Sequence, residues 1–232
     1  MRPTRSAPGP ATLPPAWEAF GRLLDYAREA GPGAARQRLA GLRTLYLSLR
    51  SEAGGLPSLA EAAGETAEQL AATRGVWALW MLRGRLGPLA WEQLELEGAA
   101  PVSWEHLIEA AARVAGVDFD DFLSYWIRSD ALPDYRLTSA SARTAGEGYS
   151  VALRLDNRGE GQPRVPVAIR TEEGALHEVA VSIASGAQAD LRYPVLTKPL
   201  AAAVDPRGVL LTAESAGEWR AVSIRPRWWP FG

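Results

Sequence analysis

VDFDDFLSYWIRSDALPDYRLTS (117–139) contains the change of period that decides the fold. In its first half Phe119, Phe122, Leu123, Trp126 and Ile127 fall at i, i+3, i+4, i+7 and i+8, one apolar stripe of an α-helix. Asp118 stands where a side chain caps the first amides, and Asp120 and Asp121 suit the positive end of the helix dipole. Capping explains these aspartates better than calcium, which needs more oxygen ligands at set positions. At Leu132-Pro133 the helical stripe stops, and Tyr135-Arg136-Leu137-Thr138 opens an alternation of period two.

Downstream the alternation persists. Tyr149, Val151, Leu153 and Leu155 interleave with Ser150, Ala152, Arg154 and Asp156, as in strands with one face buried. Further short strands are expected near 147–156, 164–171, 175–184, 188–193, 199–204, 208–213 and 218–225. Glu173-Gly174 suits a tight hairpin turn, and residues 157–161 a longer loop. So many short strands in so few residues predict an antiparallel, immunoglobulin-like β-sandwich over 134–226. The end of the chain, RPRWWPFG (225–232), carries an aromatic tail, 227–232, that would form an apolar patch if left uncovered.

Upstream the chain is helical over 16–130, after a Pro-, Gly- and Ser-rich stretch, 1–15, expected to be a flexible tail. Trp17, Phe20, Leu23, Leu24 and Ala27 mark one helix, closed by Gly31-Pro32-Gly33. Leu39, Leu42, Leu45, Tyr46 and Leu49 mark a second, over 34–49, and Ser58 to Ala63 a short third. The segment 66–86 is apolar nearly all round and so belongs at the centre, with Gly87-Pro88 ending it. Glu95 and Glu97 then fall in a polar loop. Ser103 caps a further helix with Leu107, Ile108, Ala111 and Val114 inside and Gly116 closing it. The fold class expected is α+β, a helical module followed by a β-sandwich.

Composition narrows the chemistry. A hydrophobic content of 47% against 22% charged residues supports a packed core rather than disorder. A net charge of −2 leaves no basic excess for a phosphate backbone, so nucleic acid is not an expected partner. Without cysteine there are neither disulfides nor thiolate metal sites. No run is long and apolar enough to span a bilayer, and the N-terminus lacks the apolar core of a secretory signal, so a cytoplasmic location is the default. The two histidines, His106 and His177, are too far apart to form a helical zinc pair and read as structural. No serine-hydrolase elbow and no phosphate-binding glycine loop occurs.

Several words of the sequence are similar to one family. RGVWALWMLRGRLG (74–87) looks like the KGxxVLxMLRxxLG segment of the aminopeptidase N family of zinc metallopeptidases. VSWEHLIEAAARVAGVDFDDFLSYWIRSDALPDYRL (102–137) resembles the stretch that leads from that family's catalytic domain into its β domain. Asp205-Pro206 resembles a late DP of the β domain. AWEAFGRLLDY (16–26) resembles the helix that supplies the family's third zinc ligand, which puts Glu18 at that position; read from the residues alone, Glu18 is equally a solvated glutamate of a first helical turn, favoured there by the helix dipole.

The resemblance implies a zinc peptidase scaffold without its chemistry. No HExxH occurs, and the family spacing places that helix before Met1. The tyrosine that steadies the family's oxyanion corresponds to Ala72, and losing one such donor typically costs about 10²–10³ in rate. The expectation is therefore a partial or degenerate aminopeptidase-like chain, inactive alone, acting as a scaffold or binding module, with no cofactor of its own where the family holds zinc. Two alternatives stand beside it: the C-terminal piece of an active enzyme whose HExxH part lies upstream or in a partner chain, and an unrelated interaction protein with an immunoglobulin-like sandwich. A missing half-domain would leave an exposed apolar face along residues 16–29 and 75–86.

Overall fold

Two proline-led helices open the chain in the computed structural model, which describes residues 12–97, 102–213 and 217–225. The chain divides into two units, at Ala131 and Leu132. The first is helical: α1 (Leu13–Ala30), α2 (Pro32–Glu52), α3 (Gly64–Leu70), α4 (Val76–Leu86), α5 (Pro88–Leu96), α6 (Trp104–Ala115) and α7 (Asp120–Phe122). A π-helical turn over Ala71–Gly75 joins α3 to α4 without a break, and a second, Leu123–Ile127, continues α7.

Proline begins α1, α2 and α5, because its missing N–H is one that a first turn leaves unbonded in any case. Gly31 and Gly87, at φ 86° and 80°, each end one helix and start the next. Ser103 caps α6 as expected, its Oγ accepting from the His106 amide at 3.3 Å, and Gly116 closes that helix in the left-handed region. Asp118 accepts from the Asp120 amide at 2.6 Å in a local turn just ahead of α7, but the N-cap of that helix is Phe119 and not Asp118 as expected.

Several expectations need correction. The stretch 1–15 is not wholly a tail: Thr12 and Leu13 are fully buried and α1 begins at Leu13. Thr12 accepts a 2.8 Å bond from the Trp104 indole and donates a 2.9 Å bond to the Leu59 carbonyl, which ties the entry of the chain into the core. Residues 58–63 form a turn instead of a helix. Gly87-Pro88 ends α4 but also starts α5, so Glu95 lies on a helix and Glu97 at its C-cap.

The centre of the unit is the rod α3–π–α4. Val76, Trp77, Ala78, Leu79, Met81 and Leu82 are buried, and the Trp77 indole donates to the Leu39 carbonyl at 3.0 Å. Gly75 is where α1 crosses this rod. A Cβ placed there would stand 2.7 Å from the Ala16 Cβ, so only glycine allows the approach. The apolar face expected along 16–29 and 75–86 is not exposed; Tyr26 is the one large hydrophobic of those stretches that is counted exposed. Among the described residues of this unit the exposed large hydrophobics, Tyr26 apart, are Leu45, Leu89, Leu96, Val102 and Val117.

The second unit contains β1 (Tyr135–Ala145), β2 (Gly148–Asn157), β3 (Val165–Thr171), β4 (Leu176–Val181), β5 (Gln188–Val195), β6 (Pro199–Val204), β7 (Arg220–Ala221) and β8 (Ser223–Arg225). They form two four-stranded sheets, ordered β5-β2-β1-β8 and β4-β3-β6-β7. Inward residues of both sheets, among them Val151, Leu153, Leu155, Val167, Ile169 and Val204, make one buried cluster. The pairing is antiparallel except that β8 runs parallel to β1, a departure from the all-antiparallel expectation.

No strand forms over 208–213. Asp205 sits at φ 44° and its carboxylate accepts from the Val209 and Leu210 amides at 3.0 and 2.8 Å, which captures those donors for a turn. The loop 157–161 closes on the entry of the unit: the Arg158 and Glu160 amides donate to the Asp134 and Leu132 carbonyls, both at 2.8 Å. Gly159 lies so close to Leu132, Pro133 and Asp134 that any Cβ would overlap their backbone. The aromatic tail 227–232 lies outside the described residues. Among the described residues no helix is long and apolar enough to cross a membrane.

Candidate functional site

Glu18, the residue matched to a zinc ligand, lies on α1 with 75% of its side chain exposed and an ion pair to Arg22 at 2.8 Å. Ala72, at the position matched to the oxyanion tyrosine, is exposed in the π turn after α3. The Ala16–Gly75 contact sets α1 against that turn. His106 is exposed on α6. His177 lies on β4 of the other unit, its ring tilted against Tyr193 with centroids 6.1 Å apart. Among the described residues no three His, Cys, Asp or Glu side chains converge as a metal set would.

Arg74 is the polar centre that the sequence did not reveal. It is fully buried. Nη1 donates to the Tyr46 hydroxyl at 2.8 Å and the Asp130 carbonyl at 3.1 Å. Nη2 donates to the Ser129 carbonyl at 2.7 Å, while Nε reaches the Trp126 carbonyl at 3.3 Å. These carbonyls lie in and just beyond the Leu123–Ile127 turn, where the negative end of a helix favours a cation. A planar guanidinium can serve several carbonyls at once, which an ammonium cannot do in the same plane. The π turn at 71–75 is what turns Arg74 inward, and the flanking glycine is the only sequence hint of close packing. The arrangement is a brace; its donors are used on backbone carbonyls and the Tyr46 hydroxyl.

In the second unit a cavity of about 400 Å³ opens beside the start of β1 and the end of β6. Leu137, Val165 and Val204 supply apolar surface and Trp219 an aromatic ring, whose plane also meets the Arg170 guanidinium at 4.8 Å. Part of the polar lining is already engaged, and Glu218 adds a carboxylate to that lining. Asp134 and Arg136 form a forked pair at 3.0–3.2 Å. Arg220 donates to the Thr138 carbonyl at 2.9 Å.

The two titratable groups with altered acidity there are structural as well. Burial pushes the Asp205 carboxyl above its ordinary range, against the pull of the Leu210 and Val209 amides. Burial likewise raises the Tyr135 phenol, against the Ile183 amide that donates to it at 2.9 Å. A carboxylate and a phenol held by backbone partners are not poised as base or acid for a bound molecule. The cavity's chemistry is that of contact, with one aromatic face and a mixed rim.

No protein-family model matches the chain, and no curated protein shows significant similarity to it.

Proposed function

We propose that this chain is an aminopeptidase-like scaffold that acts by binding, in the cytoplasm, and has no peptidase chemistry of its own. The observation that carries the reading is the state of the two matched positions. Glu18 spends its carboxylate on Arg22 at the surface, and Ala72 presents a methyl group where a tyrosine would donate. The resemblance supports the scaffold: α1 packs on the π turn through Ala16 and Gly75, so the helix carrying Glu18 and the segment carrying Ala72 are neighbours. The second unit, with its two sheets around one core, suits the immunoglobulin-like sandwich expected of a binding module.

The apolar face that a missing half-domain would leave along α1 and α4 is buried, which counts against a truncated catalytic domain both in this reading and in the one where an upstream half completes an active enzyme. Zinc analysis of the purified chain, with hydrolysis of aminoacyl-anilides, tests the proposal. The expected result is sub-stoichiometric zinc and no turnover. One zinc per chain with turnover abolished by Glu18→Gln would overturn it.

A further inference from the structure

In the second unit β1 is longer than the strand that covers its outer flank. On one side β2 pairs with it from Tyr135 to Ala145, but on the other β8 reaches only Ser141, Ala142 and Arg143. Among the described residues no strand lies along that outer flank over 135–140. Two side chains stand there instead. Arg220 donates to the Thr138 carbonyl at 2.9 Å, and the Ser223 hydroxyl donates to the Ala140 carbonyl at 3.1 Å. Carbonyls two residues apart on one flank are those that the amides of a neighbouring strand would take. The cavity of about 400 Å³ borders the same stretch: Tyr135 and Leu137 of β1 line it, with Val165 and Val204 of the opposite sheet. A charged side chain on an open flank can also serve to keep other strands away. Protection alone gives no reason for the void, whose apolar walls forfeit packing contacts on their empty side.

We infer that the outer flank of β1 over 135–140 binds an extended peptide by strand addition, with one apolar side chain in the cavity and a basic residue at Glu218. A strand is the occupant that uses both features at once: its backbone amides meet the Thr138 and Ala140 carbonyls, and its alternate side chains point into the void. A carbonyl oxygen has two lone pairs, so a peptide amide can join Arg220 or Ser223 there as well as displace it. Charge selects among peptides. Asp134 and Arg136 neutralise each other on the rim, and Arg220 is engaged on Thr138. Glu218 is exposed on the same rim and pairs with no cation among the described residues. The inference rests on the reading of this chain as a binding module but not on the peptidase resemblance. Zinc with turnover would overturn the scaffold and leave this flank standing, whereas a failure to bind peptide would remove only the flank.

The test uses the full chain and fluorescein-labelled hexapeptides of alternating Thr and Val, ending in Lys or in Glu, followed by anisotropy. The Lys-ended peptide is expected to bind saturably and roughly threefold more tightly than the Glu-ended one, with that order reversed in Glu218→Lys. Replacing the central Val of the peptide by Asp should abolish binding, because the void offers that carboxylate apolar walls. N-methylation of the amides along one edge of the peptide should weaken binding at least tenfold while methylation of the other edge is tolerated, since one edge faces β1. Amide exchange within 135–140 should slow when peptide binds, and exchange in the first unit should not change. No saturable binding at millimolar peptide, tolerance of methylation on both edges, or protection that omits 135–140 would refute the strand addition. A chain that sediments as a dimer and is dissociated by the peptide would assign the flank to a second copy, and would overturn the assignment to a separate peptide.

Discussion

Adding one methyl group at Gly75 should separate two helices that now touch. The new Cβ would stand 2.7 Å from the Ala16 Cβ, more than an ångström inside normal contact, and both atoms are rooted in helix backbone. Overpacking of this kind costs about 2–3 kcal/mol. Replacing glycine by alanine within a helix returns about 0.5–1 kcal/mol, which leaves Gly75→Ala destabilised by about 1–2 kcal/mol. Ala16→Gly alone loses about 1 kcal/mol of helix propensity and about 0.8 kcal/mol for one buried methyl group. The double variant moves the methyl from one helix to the other and removes the clash, so it should lie within about 0.5 kcal/mol of the parent. The two single effects sum to about 3–4 kcal/mol, giving a coupling of about −3 kcal/mol, far outside the ~0.5 kcal/mol scatter of independent sites. Urea unfolding followed by helical ellipticity measures all four corners. A Gly75→Ala chain as stable as the parent, or singles that simply add, would show that α1 is not seated on the π turn as described.

Three further expectations follow from other parts of the chain. Arg74→Met should cost about 3–5 kcal/mol in the same unfolding assay, since it strands the Ser129 and Asp130 carbonyls and the Tyr46 hydroxyl, and Arg74→Lys should recover only part of this. Gly159→Ala should destabilise the second unit by about 3 kcal/mol or more, because its Cβ meets backbone that cannot step aside; a loss below about 1 kcal/mol would contradict the close approach to Leu132–Asp134. The Asp205 carboxyl, raised by burial, binds its proton more tightly folded than unfolded. Its stabilising contribution is therefore complete below the ordinary carboxylate pKa of about 4 and is lost as the pH rises through the higher folded value. The stability gap between the parent and Asp205→Asn should accordingly narrow from pH 4 upward, as measured by urea titrations, and a gap that widens would reverse the assigned direction.

What could be recognised in the linear chain was whatever depends on local rules. Ser103 and Gly116 bracket α6 where a cap and a left-handed closer were expected, and the alternation from Tyr149 to Leu155 gave β2 to within a residue. Proline misled. Pro14, Pro15 and Pro88 resemble breakers, yet each opens a helix, so α1 begins earlier than expected and α5 was missed. Residues 208–213 alternate like a strand, but the Asp205 carboxylate competes for the amides that a ladder would need.

Non-local features were not legible at all. The parallel seating of β8 against β1 depends on where the last strand is delivered. Burial of Arg74 depends on carbonyls more than fifty positions away. Of the candidate site, Glu18 and Ala72 were placed by resemblance alone, and geometry added only that both face outward and that their segments touch at Ala16 and Gly75.

The two π turns also bear on how this chain can change over generations. Each is one residue of slack inside a helix, and that residue rotates everything beyond it by roughly 100° relative to what comes before. Losing a codon within 71–75 would therefore heal locally into ordinary α-helix while sending either Arg74 or Gly75 to the wrong side of the rod. The acceptors of Arg74 include the Tyr125 and Trp126 carbonyls of the second turn, so the two insertions are matched in phase. Neither can be deleted alone without disengaging the other, which makes this pair of extra residues harder to lose than any of the exposed positions around it.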